Sequence, residues 1–357
     1  MSLHPRLQPE IPEQTAKIAL AAFPKGNTYM RMRDELGFIF RDEQFSDLYA
    51  NRGQPATSPA QLAMVTMMQF AEGLSDRAAA RAVRARIDWK YALGLEITDS
   101  GFDASVLSEF RTRLVEGKAE LLLFETMLTC LREQGLLKAQ GRMRTDSTHI
   151  LAAVRNLGRL ECIGETLRQA LNVLATTVPD WLQTWVPTEW FDRYSYRFEE
   201  YRLPKKRADR YTLGEQIGQD GLILWQRLDE NPETLLLRQL PALETLRRVW
   251  VQQFVQQAGE TKWRVATDLP PAQFMIQSPY DVDARYSRKR QTEWTGYKVH
   301  LSESCDDKLP HLIVNVETTA ATKTDYEMTN PIHDELARRK LLPEKHFGVV
   351  CISPEIS

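Results

Sequence analysis

One carboxylate and several groups of cations are the residues of this chain best placed to do chemistry. Asp146 stands at the end of a short run, Gly141–Ser147, that reads as a strand, beside Ser147 and Thr148. Taken alone, an aspartate in this company reads as a turn or helix cap. Arg77, Arg81 and Arg84 recur at i, i+4 and i+7, which puts them on one helix face, with Ala79, Val83 and Arg86 elsewhere. Lys205, Lys206 and Arg207 lie in a second basic run. Arg285, Arg288, Lys289 and Arg290 crowd a polar loop over 279–293, and Lys298 follows on the next strand. Clustered cations of this kind contact phosphates and release counterions; the same patterns also describe solvated surface faces. His149, His300 and His311 share no helix-face spacing and read as surface or hydrogen-bonded histidines.

The elements that must position these groups are legible in the punctuation. Residues 1–26 are punctuated by proline, with a helical patch at Gln14–Phe23. Ser58 and Pro59 suit the cap and first position of a helix carrying Leu62, Val65 and Met68 at helical spacing. Gly73 stops it, and Ser75 can cap a second helix over 75–94. Asp103 can cap a third, and an apolar fourth runs over 118–135. Residues 57–135 thus read as an all-α unit with the outline of a helix-turn-helix, its second helix faced with arginine. Residues 150–260 read as mostly helical, at 159–178, 212–228 and 232–259. An aromatic section from Trp181 to Tyr201 interrupts them; it reads as core or as a base-stacking platform. Residues 294–302 and 311–319 alternate and favour β-branched residues, so they read as an antiparallel hairpin. A helix at 325–340 and a new strand near His346 follow.

A net charge of -2 gives no global pull toward nucleic acid or membrane, so any basic surface must be local. Four scattered cysteines, Cys130, Cys162, Cys305 and Cys351, show neither a disulfide framework nor zinc spacing. Without a signal-peptide pattern or an 18-residue apolar stretch, the expectation is a cytoplasmic protein.

Several long stretches together resemble bacterial insertion-sequence transposases of the DDE type with an InsH-like N-terminal domain. They are residues 57–73 with SDRAAARAV (75–83), RTDSTHILAAVRNLGRLE (144–161), SPYDVDARYSRKRQTEWTGYKVHLSE (278–303) and LPHLIVNVETTAATKTDYEMT (309–329). The resemblance implies an α+β chain in three parts: a lead segment at 1–56, a helix-turn-helix-like DNA-binding domain at 57–138, and an RNase H-like α/β catalytic domain at 139–357. A long, mostly helical insertion over about 150–280 would interrupt that last domain. It further implies Asp146 as the first catalytic, metal-binding acid, with Mg²⁺ (or Mn²⁺) as cofactor if the site is complete. The implied partner is double-stranded DNA, the terminal inverted repeats of the element, with a homo-oligomer left open. Two ions bridging a reacting phosphate need three converging carboxylates, since hard cations want oxygen ligands.

Here the chain departs from the pattern. The second acid should follow the strand that begins at His346, where Gly348, Val349, Val350 and Cys351 stand, with no carboxylate until Glu355. The third belongs to a later helix. The expectation is therefore a C-terminally truncated copy with Asp146 as an orphan ligand. Glu317 and Asp325 are poor substitutes, reading as a sheet-face charge and a helix cap. Two functions follow: an insertion-sequence transposase performing metal-assisted strand cleavage and transfer, or a non-catalytic DNA-binding remnant able to interfere with the intact enzyme.

Overall fold

The computed structural model describes residues 1–155, 157–230, 232–257, 259–289 and 291–348. The chain divides into two compact units, Met1–Gly141 with Asp306–Leu312, and Arg142–Cys305 with Ile313 onward.

The first unit is helical: α1 (Glu13–Ala22), α2 (Thr28–Leu36), a 3₁₀ turn at Asp42–Leu48, α3 (Pro59–Glu72), α4 (Asp76–Ala85), α5 (Ile87–Leu93), α6 (Ser105–Glu116) and α7 (Leu122–Glu133). Its start signals work as their chemistry demands. The Ser58 hydroxyl accepts from the Gln61 N–H at 3.2 Å, and Ser75 accepts from Ala78 at 3.3 Å. Gly73 closes α3 in the left-handed conformation, φ 63°, which a side chain would resist. Residues 1–56 belong to the same body. The buried Asp42 carboxylate accepts from the Ser58 hydroxyl (2.6 Å), the Ala60 N–H (3.1 Å) and the Arg6 N–H (3.1 Å), so the leading segment helps cap α3. Phe40, Phe45, Trp89 and Phe110 then fill one core with Leu62, Met64 and Met68.

One helix expected over 75–94 is two. Arg86 takes an extended conformation (φ -96°, ψ 124°) between α4 and α5. Its guanidinium bridges Glu72 and Asp88, each at 2.6 Å, and stacks over Trp89 at 5.3 Å. That tertiary cluster outweighs the helix propensity of the run.

The second unit joins a sheet to a helical layer. The sheet holds β1 (Arg142–Leu151), β4 (Arg285–Lys289), β5 (Thr292–Ser304), β6 (Ile313–Ala320) and β7 (Lys345–Gly348), in the order β4-β5-β1-β7 with β6 also on β5. β5 and β6 form the expected antiparallel hairpin, Leu301 opposite Val316. β1 runs antiparallel to β5, with Asp146 opposite Leu301, and parallel to β7, with Thr145 opposite Gly348. Between β6 and β7 comes α14 (Asp325–Arg338), opened by a capping box in which Thr324 and Glu327 satisfy each other's backbone N–H groups. β1 extends to Leu151, beyond the expected end at Ser147, and the next helix among the described residues begins at Arg159.

The helical layer is α8 (Arg159–Thr177), α9 (Pro179–Gln183), α10 (Thr188–Tyr194), α11 (Arg207–Asp229), α12 (Pro232–Leu235) and α13 (Pro241–Gln253). The helix expected over 232–259 is instead α12, a 3₁₀ turn, α13 and a hairpin of β2 (Phe254–Gln257) with β3 (Glu260–Trp263). The cause lies on α11. Gly214, Gly218 and Gly221 make a bare stripe against which the rings of Trp263, Phe254 and Trp250 sit so closely that a Cβ at any of the three would overlap them. Turning the chain at Phe254 brings those rings onto the stripe, and burial of each is worth about 1.5–3 kcal/mol. The aromatic section divides accordingly: Trp190, Tyr194 and Phe198 are buried in this core, while Phe191, Tyr196 and Tyr201 are exposed.

Candidate functional site

In the first unit the arginine face is real as geometry. α4 buries Ala79, Ala80, Ala82 and Val83, which turns Arg77, Arg81 and Arg84 to solvent. Their hydrogen bonds go to backbone carbonyls: Arg81 to Arg77 at 3.3 Å and Arg84 to Ser100 at 2.9 Å. Among the described residues none of the three has a salt-bridge partner. Asp103 feels two of them, Arg77 and Arg84. Its carboxylate accepts from the Ser105 N–H at 2.9 Å, which chiefly holds it below the usual range, with Arg77 and Arg84 adding to the effect. What fixes α4 is a joint that the spacing of the sequence did not reveal. Asp76, in its first turn, accepts from Gln69 of α3 (2.8 Å) and is paired with Arg111 of α6 (2.7 Å).

In the second unit the other cations separate into two kinds. Lys205 and Lys206 lead into α11 and Arg207 begins it; all three are exposed, without a salt bridge among the described residues. Cations at a helix N-terminus face the positive end of its dipole, so they gain nothing locally by standing there. Lys289 is likewise exposed on β4. By contrast, the Arg285 guanidinium donates to the carbonyls of Gln273, Val282 and Ala284, at 3.1, 2.6 and 3.0 Å. The Lys298 ammonium donates to the Lys323 carbonyl at 2.6 Å and lies 4.0 Å from Asp325. Arg288 stands 3.6 Å from Glu293. Arg290 lies outside the described residues, as do Val349 to Ser357 and with them the expected departure from the acidic pattern.

Asp146 is exposed near the middle of β1, one oxygen accepting from the Ser147 N–H at 2.7 Å. Strand alternation decides which acids share its face. Asp146 is opposite Leu301, which is opposite Val316; Glu317 is opposite His300, which is opposite Ser147. Glu317 therefore points to the other face. Asp325 joins it there, 3.5 Å from the buried His300 ring. Burial pushes that imidazole below its ordinary value, partly offset by Asp325. On the Asp146 face the nearest cross-strand acid is Glu303, held by Arg144 at 2.7 Å. Among the described residues no group of three or more histidines, cysteines and acids could hold a metal ion. Asp146 supplies one hard oxygen donor, and the described residues alone do not make a two-metal site.

The face opposite Asp146 is covered by α14 and lined with polar groups. His300, Ser302 and Asn315 are fully buried there. Thr145 contacts both the Ser302 hydroxyl and the His346 ring at 2.7 Å, and His346 meets His333 of α14 at 2.6 Å. Nothing in the sequence spacing marked these groups as neighbours, because three of them reach the site from separate strands.

No helix among the described residues is long and apolar enough to cross a membrane. No curated protein and no solved structure matches the chain. A family model described as "Transposase domain (DUF772)" matches residues 18–113, from within α1 to within α6, and so supports a transposase family for this chain.

Proposed function

We propose that this chain is a bacterial insertion-sequence transposase of the DDE type that binds the ends of its element. The helix-turn-helix-like pair α3 and α4 presents Arg77, Arg81 and Arg84 to DNA phosphates, and Lys205, Lys206, Arg207 and Lys289 supply further phosphate contacts from the second unit. The sheet of that unit is read as RNase H-like, with Asp146 at the first acidic position. The observation that carries the reading is the strand order around Asp146. Its strand has an antiparallel hairpin on one side and, after a helix, a parallel strand on the other. The transposase-domain match over residues 18–113 supports the same family from the other unit. Mg²⁺ or Mn²⁺ at Asp146 would supply charge stabilisation for phosphoryl transfer, given further carboxylates.

A second reading, a non-catalytic DNA-binding protein that competes for element ends, is favoured by the faces of Glu317 and Asp325, which turn away from Asp146. One experiment separates the two. Duplexes carrying the element's ends are titrated with the protein at several salt concentrations, then incubated with Mg²⁺ or Mn²⁺. Salt-dependent binding with cleavage that Asp146→Ala abolishes establishes the enzyme. Binding without cleavage leaves the competitor, and affinity that does not respond to salt sinks both.

A further inference from the structure

We propose that His333 and His346 form an acid-sensitive latch that holds α14 and strand β7 against β1. Among the described residues β7 pairs with β1 over Lys345 to Gly348. A line of side chains reinforces it. His333 Nε2 and His346 Nδ1 are 2.6 Å apart, with the rings 4.9 Å between centroids. His346 Nε2 lies 2.7 Å from Thr145 Oγ1, which is 2.7 Å from Ser302 Oγ. Four elements, α14, β7, β1 and β5, are thus joined by one line of hydrogen bonds on the covered face of the sheet.

The number of protons makes this line conditional. A nitrogen–nitrogen contact of 2.6 Å holds one hydrogen, so one ring must donate and the other accept. That is satisfied when both imidazoles are neutral or when one is charged. Once both are charged, two N–H groups meet and the contact opens. No carboxylate is among the causes that act on the His346 imidazole; Asp334 beside His333 and Glu344 two residues before His346 are both exposed to solvent. β1 presents neutral Thr145 and β5 neutral Ser302, while Arg142 and Arg144 alternate to the opposite face, as does Lys345 on β7. On α14, Glu335 is paired with Arg338 and Arg339, and Asp325 faces His300 and Lys298 at the far end of the helix. Burial, and next the neighbouring His333, push the His346 imidazole below the ordinary histidine value. A histidine depressed in the folded state contributes stability that is full above about pH 6.5 and is lost as the pH falls toward its folded value. The latch is closed at neutral pH and opens in acid. Thr145 precedes Asp146 on the same strand, so opening it loosens the strand that carries the acid; only that consequence for DNA handling rests on the transposase reading.

Amide hydrogen exchange of the full chain, corrected for intrinsic rates, tests the latch without reference to DNA. Protection over residues 342–348 is expected to fall about tenfold or more between pH 7.5 and pH 5.0, while α8 in the same unit stays protected. In His333→Gln, which can still hydrogen-bond but cannot charge, the fall should shrink, burial of His346 remaining; His4→Gln in the other unit should keep it whole. Equal protection of 342–348 at both pH values in the unmodified chain would overturn the latch, as would an undiminished fall in His333→Gln. Should that variant fold poorly, the unmodified chain still decides.

Discussion

The arginines of α4 and those of the helical layer in the second unit differ in what surrounds their guanidinium groups. Arg77, Arg81 and Arg84 stand in solvent, Arg81 and Arg84 donating to backbone carbonyls. Arg193 is paired with the buried Asp220, Arg168 with the buried Glu165 at 3.0 Å, and Arg159 lies over the Trp263 ring at 4.7 Å while donating to Gln253. The first set adds little to stability and stays available to an anionic partner. In the second set the charge has been desolvated and satisfied internally, so removing its partner leaves an orphan. Arginine in a sequence thus has two uses, told apart by whether buried groups of the fold, an acid, an amide or a ring, engage it.

The sharpest way to break this contrast is to remove an acid from the second set. Asp220 is 1% exposed and accepts from Arg193, from the Tyr194 hydroxyl at 2.6 Å and from Gln216 at 3.0 Å. Asp220→Ala strands a partly buried guanidinium and a buried phenol, and should cost about 3 kcal/mol of stability. Urea unfolding followed through tryptophan fluorescence measures it. A loss below about 1 kcal/mol would mean that Arg193 finds water instead, and that the two sets of arginines are less different than their surroundings suggest.

The complementary change removes the first set. Replacing Arg77, Arg81 and Arg84 together by alanine should leave the unfolding midpoint nearly unmoved, as surface substitutions cost about 0.5 kcal/mol or less each. DNA affinity should fall roughly tenfold or more, and the slope of log affinity against log salt should drop by about 0.9 for each phosphate that is no longer neutralised. Lys298→Met sharpens the comparison from the other side. Its ammonium is engaged with the Lys323 carbonyl and Asp325, so the variant should lose about 1 kcal/mol of stability with an unchanged salt slope. A salt slope that drops in Lys298→Met but not in the α4 triple variant would reverse the assignment.

These contrasts also explain which parts of the molecule were readable in advance. The hairpin β5–β6, the strand carrying Asp146 and the helix after Thr324 announce themselves by alternation and by capping chemistry, which are local. Lys298 looked like its basic neighbours because the carbonyl and the acid that engage it stand 25 and 27 residues further on (323 − 298 and 325 − 298). The break at Arg86 was hidden for the same reason, since it depends on Glu72 across a turn and on Asp88. β2 carries no local signal because Phe254 continues the apolar period of α13; only the bare stripe on α11 explains why the chain turns there. The face opposite Asp146 was least legible. Thr145, Ser302, His333 and His346 are individually unremarkable, and only the register of three strands and the placement of α14 brings them together.

The smallest predicted effect lies at the joint that aims α4. Hydrogen bonds from Arg111 and then from Gln69 hold the Asp76 carboxyl below the usual carboxylate range. A depressed carboxyl contributes stability that is full above the unfolded value, near pH 3.9 for aspartate, and is lost as the pH falls through the lower folded value. The Arg111 and Asp76 side chains are 35% and 29% exposed, so solvent screens the pair and about 0.5 kcal/mol is at stake. The difference in urea midpoint between the unmodified chain and Asp76→Asn should therefore shrink between pH 5 and pH 3 as the carboxylate protonates. Asparagine can keep the bond to Gln69 but loses the charge and the second oxygen that accepts from Arg111, so a difference that stays constant with pH would show that Asp76 aims α4 through hydrogen-bond geometry alone. The joint would then position the arginine face without being an ion pair in any energetic sense, and the line between the two sets of arginines would have to be drawn at burial rather than at pairing.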